Sequence, residues 1–267
     1  MKSYALITGA SSGIGLALAE ALARRGRNLI LVARQRDVLE SIGFELSQRF
    51  GVEVLFRVCD LSQPLRVSGL LHELEEGGRC IDLLINNAGI GNAGEYVSQD
   101  WMREQQLIEL NVLALARLCH AVGGLMVGQG GGQILNVASI AAFQPGPGMC
   151  NYYASKAFVL SFSEGLREEL KQYGVRVSVL CPGPTNSAFF RNAQLDVPGL
   201  QGSKLMMSAE QVALLALKGL DKNRAIIIPG WRNRLLAISP RLAPRSVIRW
   251  LSGQINRRFI RLIKAPS

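Results

Sequence analysis

The chain has 267 residues, 48% of them hydrophobic and 19% charged, with 28 Gly and 10 Pro. Such a chain fits one large α/β domain with a substantial core, and excludes global disorder, collagen and coiled coil. The net charge of +10 hints at nucleic acid until it is located: residues 222–267 hold 11 Lys/Arg and no Asp/Glu, leaving 19 Lys/Arg against 20 Asp/Glu in residues 1–221. The body is neutral and the tail is basic, so no domain-wide nucleic-acid face is expected.

Met1-Lys2-Ser3 leads straight into the apolar run Tyr4–Ile7 without the longer apolar region of a signal peptide, so a cytoplasmic protein is expected. Short β-rich runs then alternate with longer amphipathic stretches. Strands are predicted at Tyr4–Thr8, Leu29–Ala33, Val54–Val58, Leu83–Asn86, Gln133–Ala138, Val175–Leu180 and Ala225–Ile228. Helices are predicted near Gly13–Arg25, Arg36–Phe50, Leu65–Glu76, Trp101–Met126, Tyr152–Tyr173 and Ala209–Leu220. Nearly continuous apolar strands imply helices on both faces. The expected fold is therefore a Rossmann-like, doubly wound, seven-stranded parallel sheet in a single domain over residues 1–230, with a basic helical extension over residues 231–267. The apolar stretch Val112–Val127 is interrupted by Arg117, His120 and Gly123-Gly124, so it is not read as a bilayer crossing. Five scattered cysteines and two distant histidines, His72 and His120, predict neither a disulfide framework nor a metal site.

After the first strand comes Thr8-Gly9-Ala10-Ser11-Ser12-Gly13-Ile14-Gly15 and an apolar helix. Glycines let a backbone turn tightly against a pyrophosphate, and the helix start supplies free N–H groups and a positive dipole end. The spacing is G-x-x-x-G-x-G and departs from the common G-x-G-x-x-G dinucleotide fingerprint. The second strand ends at Ala33-Arg34-Gln35-Arg36. An acidic residue there would accept hydrogen bonds from a ribose 2′-hydroxyl, whereas a guanidinium suits a 2′-phosphate. Arg34 therefore predicts NADP(H) in preference to NAD(H).

Further on, Ser139 precedes Tyr152 by 13 residues, and Tyr152 and Lys156 stand at i and i+4 on a predicted helix, sharing one face. A tyrosine can give a proton to, or take one from, an oxygen undergoing hydride chemistry. A neighbouring cation is expected to favour its phenolate, and Ser139 is placed to hydrogen-bond the substrate oxygen. Tyr153 is the alternative phenol, at i and i+3 from Lys156.

These pieces, in this order, resemble the short-chain dehydrogenase/reductase family over nearly all of residues 3–230. Thr8-Gly9-x-x-x-Gly13-x-Gly15 is similar to the family's cofactor motif, Asn86-Asn87-Ala88-Gly89 to its fourth-strand motif and Tyr152-x-x-x-Lys156 to its active-site motif. The resemblance selects Tyr152 over Tyr153 and implies that Lys156 holds the nicotinamide ribose while Asn111 anchors a proton-relay water. It implies that Asp60 and Leu61 face the adenine, that Asn87, Ala88 and Gly89 line the adenosine side, and that Thr185, after Pro182-Gly183, holds the carboxamide. It also implies homodimers or homotetramers. The same fold could serve a regulatory or adaptor protein that does little chemistry, against which the intact catalytic set argues.

In the family the pocket is closed by the segment after the sixth strand, here about 186–208, which carries Phe189, Phe190, Leu195, Val197, Leu200, Leu205, Met206 and Met207. Together with Phe143 and Met149 this composition favours a hydrophobic small-molecule substrate. In the tail, Ile248, Leu251, Ile255, Phe259 and Leu262 fall at steps of three or four beside Arg245, Arg249, Arg257, Arg258, Arg261 and Lys264. Such a helix, with Trp231 and Trp250 nearby, fits an anionic membrane surface, another subunit or the domain's own surface.

Overall fold

The computed structural model describes residues 2–186, 189, 206–241 and 243–264, with side chains described as far as Arg257 apart from that of Arg241. Of the expected lid and tail residues, Phe190, Leu195, Val197, Leu200 and Leu205 lie outside the described residues, as do the side chains of Arg258, Phe259, Arg261, Leu262 and Lys264.

The strands β1 (Ser3–Thr8), β2 (Asn28–Ala33), β3 (Val54–Val58), β4 (Cys80–Asn86), β5 (Gly132–Val137), β6 (Val175–Leu180) and β9 (Ile226–Ile227) form the expected seven-stranded parallel sheet, in the order β3-β2-β1-β4-β5-β6-β9. Two short strands that the sequence did not signal, β7 (Thr185–Asn186) and β8 (Met207–Ser208), pair beside it. The helices are α1 (Gly13–Ala23), α2 (Arg36–Phe50), α3 (Pro64–Glu76), α4 (Trp101–Ile108), α5 (Leu115–Gly128), α6 (Cys150–Leu170), α7 (Ala209–Asp221), α8 (Trp231–Ile238) and α9 (Arg245–Lys264).

Alternation along the strands explains why they are apolar throughout. Ala5, Ile7, Leu29 and Leu31 point into the core shared with α1, α2 and α7. Tyr4, Leu6, Ile30 and Val32 point into the opposite core, with α3, α5 and α6. Each side chain is covered on its own face, as a doubly wound sheet requires. The order in which successive strands are added reverses between β1 and β4, so the crevice where such folds hold ligands opens at the carboxyl ends of these two parallel strands.

The region predicted as one helix over Trp101–Met126 is interrupted by a π-helical turn over Glu109–Ala114, joining α4 to α5. The whole stretch, Trp101–Gly128, is long and apolar enough to cross a membrane by length and composition, a test that a buried core helix also passes. Its apolar face, with Leu107, Leu115, Leu118, Val122 and Met126, is instead buried against the sheet. The extension contains two helices, and both touch the body. Asn233 of α8 lies against Gly183, and Asn256 of α9 bonds Pro147.

Candidate active site

The Gly-rich turn is built by close approach. Gly9 and Gly13 have φ of +64° and +56°, which side chains disfavour, and a Cβ on Gly9 would stand 2.9 Å from the Ala88 Cα. On Gly15 a Cβ would overlap the Gly9 carbonyl oxygen. The turn is tied to β4 by Thr8, whose Oγ1 accepts from the N–H groups of Asn87 and Ala88 at 3.0 Å each. Asn87 Nδ2 donates in return to the carbonyls of Thr8 (3.0 Å) and Gly9 (3.1 Å). Ser12 makes no side-chain cap on α1, which leaves the first-turn N–H groups for a ligand anion.

This turn forms one wall of a cleft of about 950 Å³ whose lining runs from Gly9, Ser11, Ser12, Gly13 and Ile14 through Arg34, Asp60, Leu61, Asn87, Ala88 and Gly89 to Ser139, Met149, Tyr152, Lys156, Pro182, Gly183, Thr185 and Phe189. Thus nearly all the expected cofactor and catalytic positions share one cavity. The volume suits a dinucleotide and a small substrate. An uncapped helix start, glycines that leave no room for a side chain, and a cation at the end of β2 together fit a nicotinamide dinucleotide.

At that β2 end, Arg34 forms no ion pair among the described residues, whereas Arg36 is paired with Glu40 at 3.4 Å and lies over the Phe56 ring. Burial opposes ionisation of Asp60. Hydrogen bonds from the Ser62 hydroxyl (2.7 Å) and N–H (3.0 Å), aided by the charge of Arg34, nevertheless hold its carboxyl below the usual range. Asp60 therefore acts as a turn-former as well as a cleft wall.

Ser139 caps the short 3-10 turn Ile140–Phe143 by accepting from the Ala141 N–H at 3.1 Å, which aims its hydroxyl across the cleft. Burial pushes the Tyr152 phenol up to about 12, while a hydrogen bond with Ser139 pulls the other way. Lys156 is 5% exposed, and its Nζ donates to the Val137 carbonyl at 3.0 Å and lies 5.8 Å from the Tyr152 ring centre. Burial pushes its ammonium down to about 8. The expected depression of the phenol by this lysine does not appear. Desolvation dominates at both groups, and the lysine spends its hydrogen bond on β5.

Asn111 does not line the cleft, since it sits behind the wall. The π-helical turn brings its side chain onto the backbone of Ile90, accepting from the N–H (3.0 Å) and donating to the carbonyl (2.9 Å), and Nδ2 also reaches Ser155 Oγ at 3.1 Å. Gly15 likewise acts from behind. Phe143, expected to line the substrate end, packs into the core beside α6 and is corrected here: the 3-10 turn rotates it inward while Ala141 and Gln144 border the cleft. Met149 and Phe189 do reach the site and cluster with Tyr152 and Tyr153, the Phe189 ring lying 5.3 Å from that of Tyr152.

Sequence reasoning missed Glu104. This carboxylate, 4% exposed, accepts from Asn92 Nδ2 (2.8 Å) and Asn151 Nδ2 (2.6 Å), which ties the loop after β4 to the start of α6. A lone Glu in an amphipathic helix carries no sign of such a role.

The chain belongs to the short-chain dehydrogenase family, whose profile matches residues 3–197. It is 38% identical over 194 residues to sulfoacetaldehyde reductase 2 of Chromohalobacter salexigens, an alignment covering 71% of this chain and 75% of that one. Among solved structures it is similar to a short-chain dehydrogenase of Sphingobium yanoikuyae in complex with NADPH, at 35% identity and a TM-score of 0.81 over 97% of this chain and 94% of that chain. The bulky-bulky ketone specific alcohol dehydrogenase of Comamonas testosteroni gives 32% identity and a TM-score of 0.75 over 97% and 92%. The protein is accordingly a nicotinamide-dependent oxidoreductase acting between CH–OH and C=O groups.

Proposed function

We propose that this protein moves hydride between NADP(H) and an apolar carbonyl or secondary alcohol, with Tyr152 as general acid and base. The observation that carries the reading is the convergence of Ser139, Tyr152 and Lys156 on the cleft that the Gly9–Gly15 turn and Arg34 also enclose. In the bound state the nicotinamide supplies or accepts the hydride. The chain's own residues handle everything else. The Tyr152 hydroxyl gives its proton to the oxygen of the reduced carbonyl, while Ser139 donates a hydrogen bond to the same oxygen as its charge grows. A phenol pushed up to about 12 by burial stays protonated across the neutral range, so it holds the proton that the reduced oxygen takes up. Lys156 would hold the ribose hydroxyls. Asn111 would position the Gly89–Ile90 turn and a relay water.

Arg34, without an ion-pair partner among the described residues, would pair with a 2′-phosphate and set the preference for NADP(H). Asp60 and Leu61 would flank the adenine, Asn87, Ala88 and Gly89 the adenosine, and Thr185, 5% exposed and donating to the Gly183 carbonyl at 3.0 Å, the carboxamide. Residues 1–230 form the catalytic unit in this reading, residues 231–267 an extension, and the protein works as a homodimer or homotetramer. For the substrate, Met149, Phe189 and Tyr153 favour an apolar body, in line with the bulky ketone in the Comamonas enzyme's name. An anionic aldehyde, as in the Chromohalobacter relative's name, would want a cation at the substrate end, and the cations of the described lining, Arg34 and Lys156, are both assigned to the cofactor.

The test is titration with NADPH and NADH followed by a carbonyl panel. Tyr152→Phe should lower turnover about 1000-fold with NADPH affinity retained. Arg34→Ala should weaken NADPH tenfold or more, at roughly 1.5–3 kcal/mol for a charge-assisted contact, and leave NADH unchanged. Full turnover in Tyr152→Phe would overturn the mechanism, and equal loss of both nucleotides would overturn the role of Arg34.

A further inference from the structure

We infer that α8 and α9 carry a docking surface for an anionic lipid bilayer. On its described residues α9 touches its own domain through a small face rich in polar groups, whereas α8 buries Ala237 and sets Asn233 against Gly183. Ser252 and Asn256 are buried, Asn256 Nδ2 donates to the Pro147 carbonyl at 3.1 Å, Tyr153 Oη donates to Asn256 Oδ1 at 3.4 Å, and a Cβ on Gly253 would stand 3.7 Å from the Pro147 ring. Successive residues of an α-helix are about 100° apart, so Leu251 points well away from Ser252. Of the apolar stripe, Leu251 and Ile255 are thus left outside the self-contact, while Ile248, one turn before Ser252, is half-buried. Trp250 and Ile255 are 61% and 54% exposed, and on α8 Trp231 and Leu235 are 67% and 59% exposed.

What covers this surface is decided by charge. The tail holds 11 Lys/Arg and no Asp/Glu from residue 222 onward. A two-fold contact with a second copy would set this patch against itself, basic on basic, with no acidic residue in the tail to answer it. An anionic bilayer offers both requirements at once: phosphate oxygens for the arginines at its surface, and hydrocarbon a few ångströms deeper for Leu235, Leu251 and Ile255. Tryptophans such as Trp231 and Trp250 settle at that boundary. This reading stands apart from the catalytic one, because it concerns neither the nucleotide nor the substrate.

The experiment is co-sedimentation of the full chain with phosphatidylcholine vesicles, with and without phosphatidylglycerol, at low and high salt. Binding is expected only to the anionic vesicles and is expected to fall with salt. The triple variant Arg232→Gln, Arg245→Gln, Arg249→Gln, all exposed positions, should bind about a hundredfold more weakly, from about fivefold per charge. Trp250→Gln with Leu251→Gln, also at exposed positions, should abolish binding while nucleotide affinity and circular dichroism stay unchanged. Equal binding to neutral vesicles, absence of binding, or insensitivity to both variants would overturn the inference. A fall in solution mass of the Trp250/Leu251 variant, without vesicle binding by the parent, would overturn it in favour of a subunit contact.

Discussion

The carboxyl end of the sheet and the C-terminal helices are held by opposite means. Around the cleft, most buried polar groups answer one another, Asn86 Oδ1 being an exception. Thr8 and Asn87 exchange five bonds with neighbouring backbone and each other, Asn111 makes three, and Asn86, Asn136 and Ser163 form a chain with links of 2.9 and 3.0 Å between β4, β5 and α6. The two helices of the extension, by contrast, rest on the body through a few contacts among the described residues, and Trp231, Leu235, Leu236, Trp250 and Ile255 are exposed. Buried networks are costly to leave half made, so they fix positions closely, as a proton-transfer site needs. A surface that meets something soft and fluid needs only composition and charge.

If that contrast is right, the severest disruption is a methyl group in the cradle. Gly15→Ala places a Cβ against the Gly9 carbonyl and the Asn87 side-chain amide; the first is backbone, and the second is held by its bonds to the Thr8 and Gly9 carbonyls. It should cost more than about 3 kcal/mol of stability and abolish nucleotide binding, as judged by urea denaturation and nucleotide titration. Near-normal stability would mean that the turn is softer than its packing suggests.

Next comes the buried ammonium. Lys156 has a folded pKa near 8 against 10.5 for an ordinary lysine, because burial disfavours its charge. Below about 8 the group is charged in both folded and unfolded chains, and the burial penalty is present in full. Between about 8 and 10.5 the unfolded chain still binds the proton that the folded one has released, so stability rises with pH across that window. Tyr152, raised to about 12 from 10, has the opposite effect only above pH 10. Relative to Lys156→Met, the wild type should therefore gain roughly 3 kcal/mol from neutral pH to the top of the lysine window. Parallel stability curves for the two proteins would show that the amine is solvated after all.

Glu104 tests the frame behind the site. Glu104→Ala leaves the amides of Asn92 and Asn151 without their shared carboxylate and should destabilise by about 2 kcal/mol. Because Asn151 opens α6, one turn before Ser155 and Lys156, turnover should drop more than nucleotide affinity. Equal losses would place the effect in the fold as a whole.

How much of this was legible in the sequence follows from the same physics. The Gly9–Gly15 turn, Arg34 and the Tyr152–Lys156 pair are local patterns whose geometry is set by helix period and φ, and each stands where its spacing placed it. The π-helical turn at Asn111 was not legible, since it answers to Ile90 and Ser155, far away in the chain. Phe143 was misplaced because a four-residue 3-10 turn decides whether it faces cleft or core, and no periodicity is read from four residues. For the tail, period revealed the apolar stripe but not which face would meet the body. That choice depends on Pro147 and Tyr153.

The sharpest comparison uses one substitution at two neighbouring residues. Tyr152 faces Ser139 in the cleft, while the Tyr153 hydroxyl donates to Asn256 of α9 at 3.4 Å, a long bond at the edge of useful geometry. Asn256 keeps its second bond, to the Pro147 carbonyl at 3.1 Å, whatever happens at Tyr153. Removing the Tyr153 hydroxyl should therefore cost about 0.5 kcal/mol, leave turnover within about twofold, and loosen α9 only enough to raise its amide hydrogen exchange. A collapse of turnover in Tyr153→Phe comparable to that in Tyr152→Phe would erase the boundary between the two regions, making the contact with the extension part of what positions the catalytic phenol.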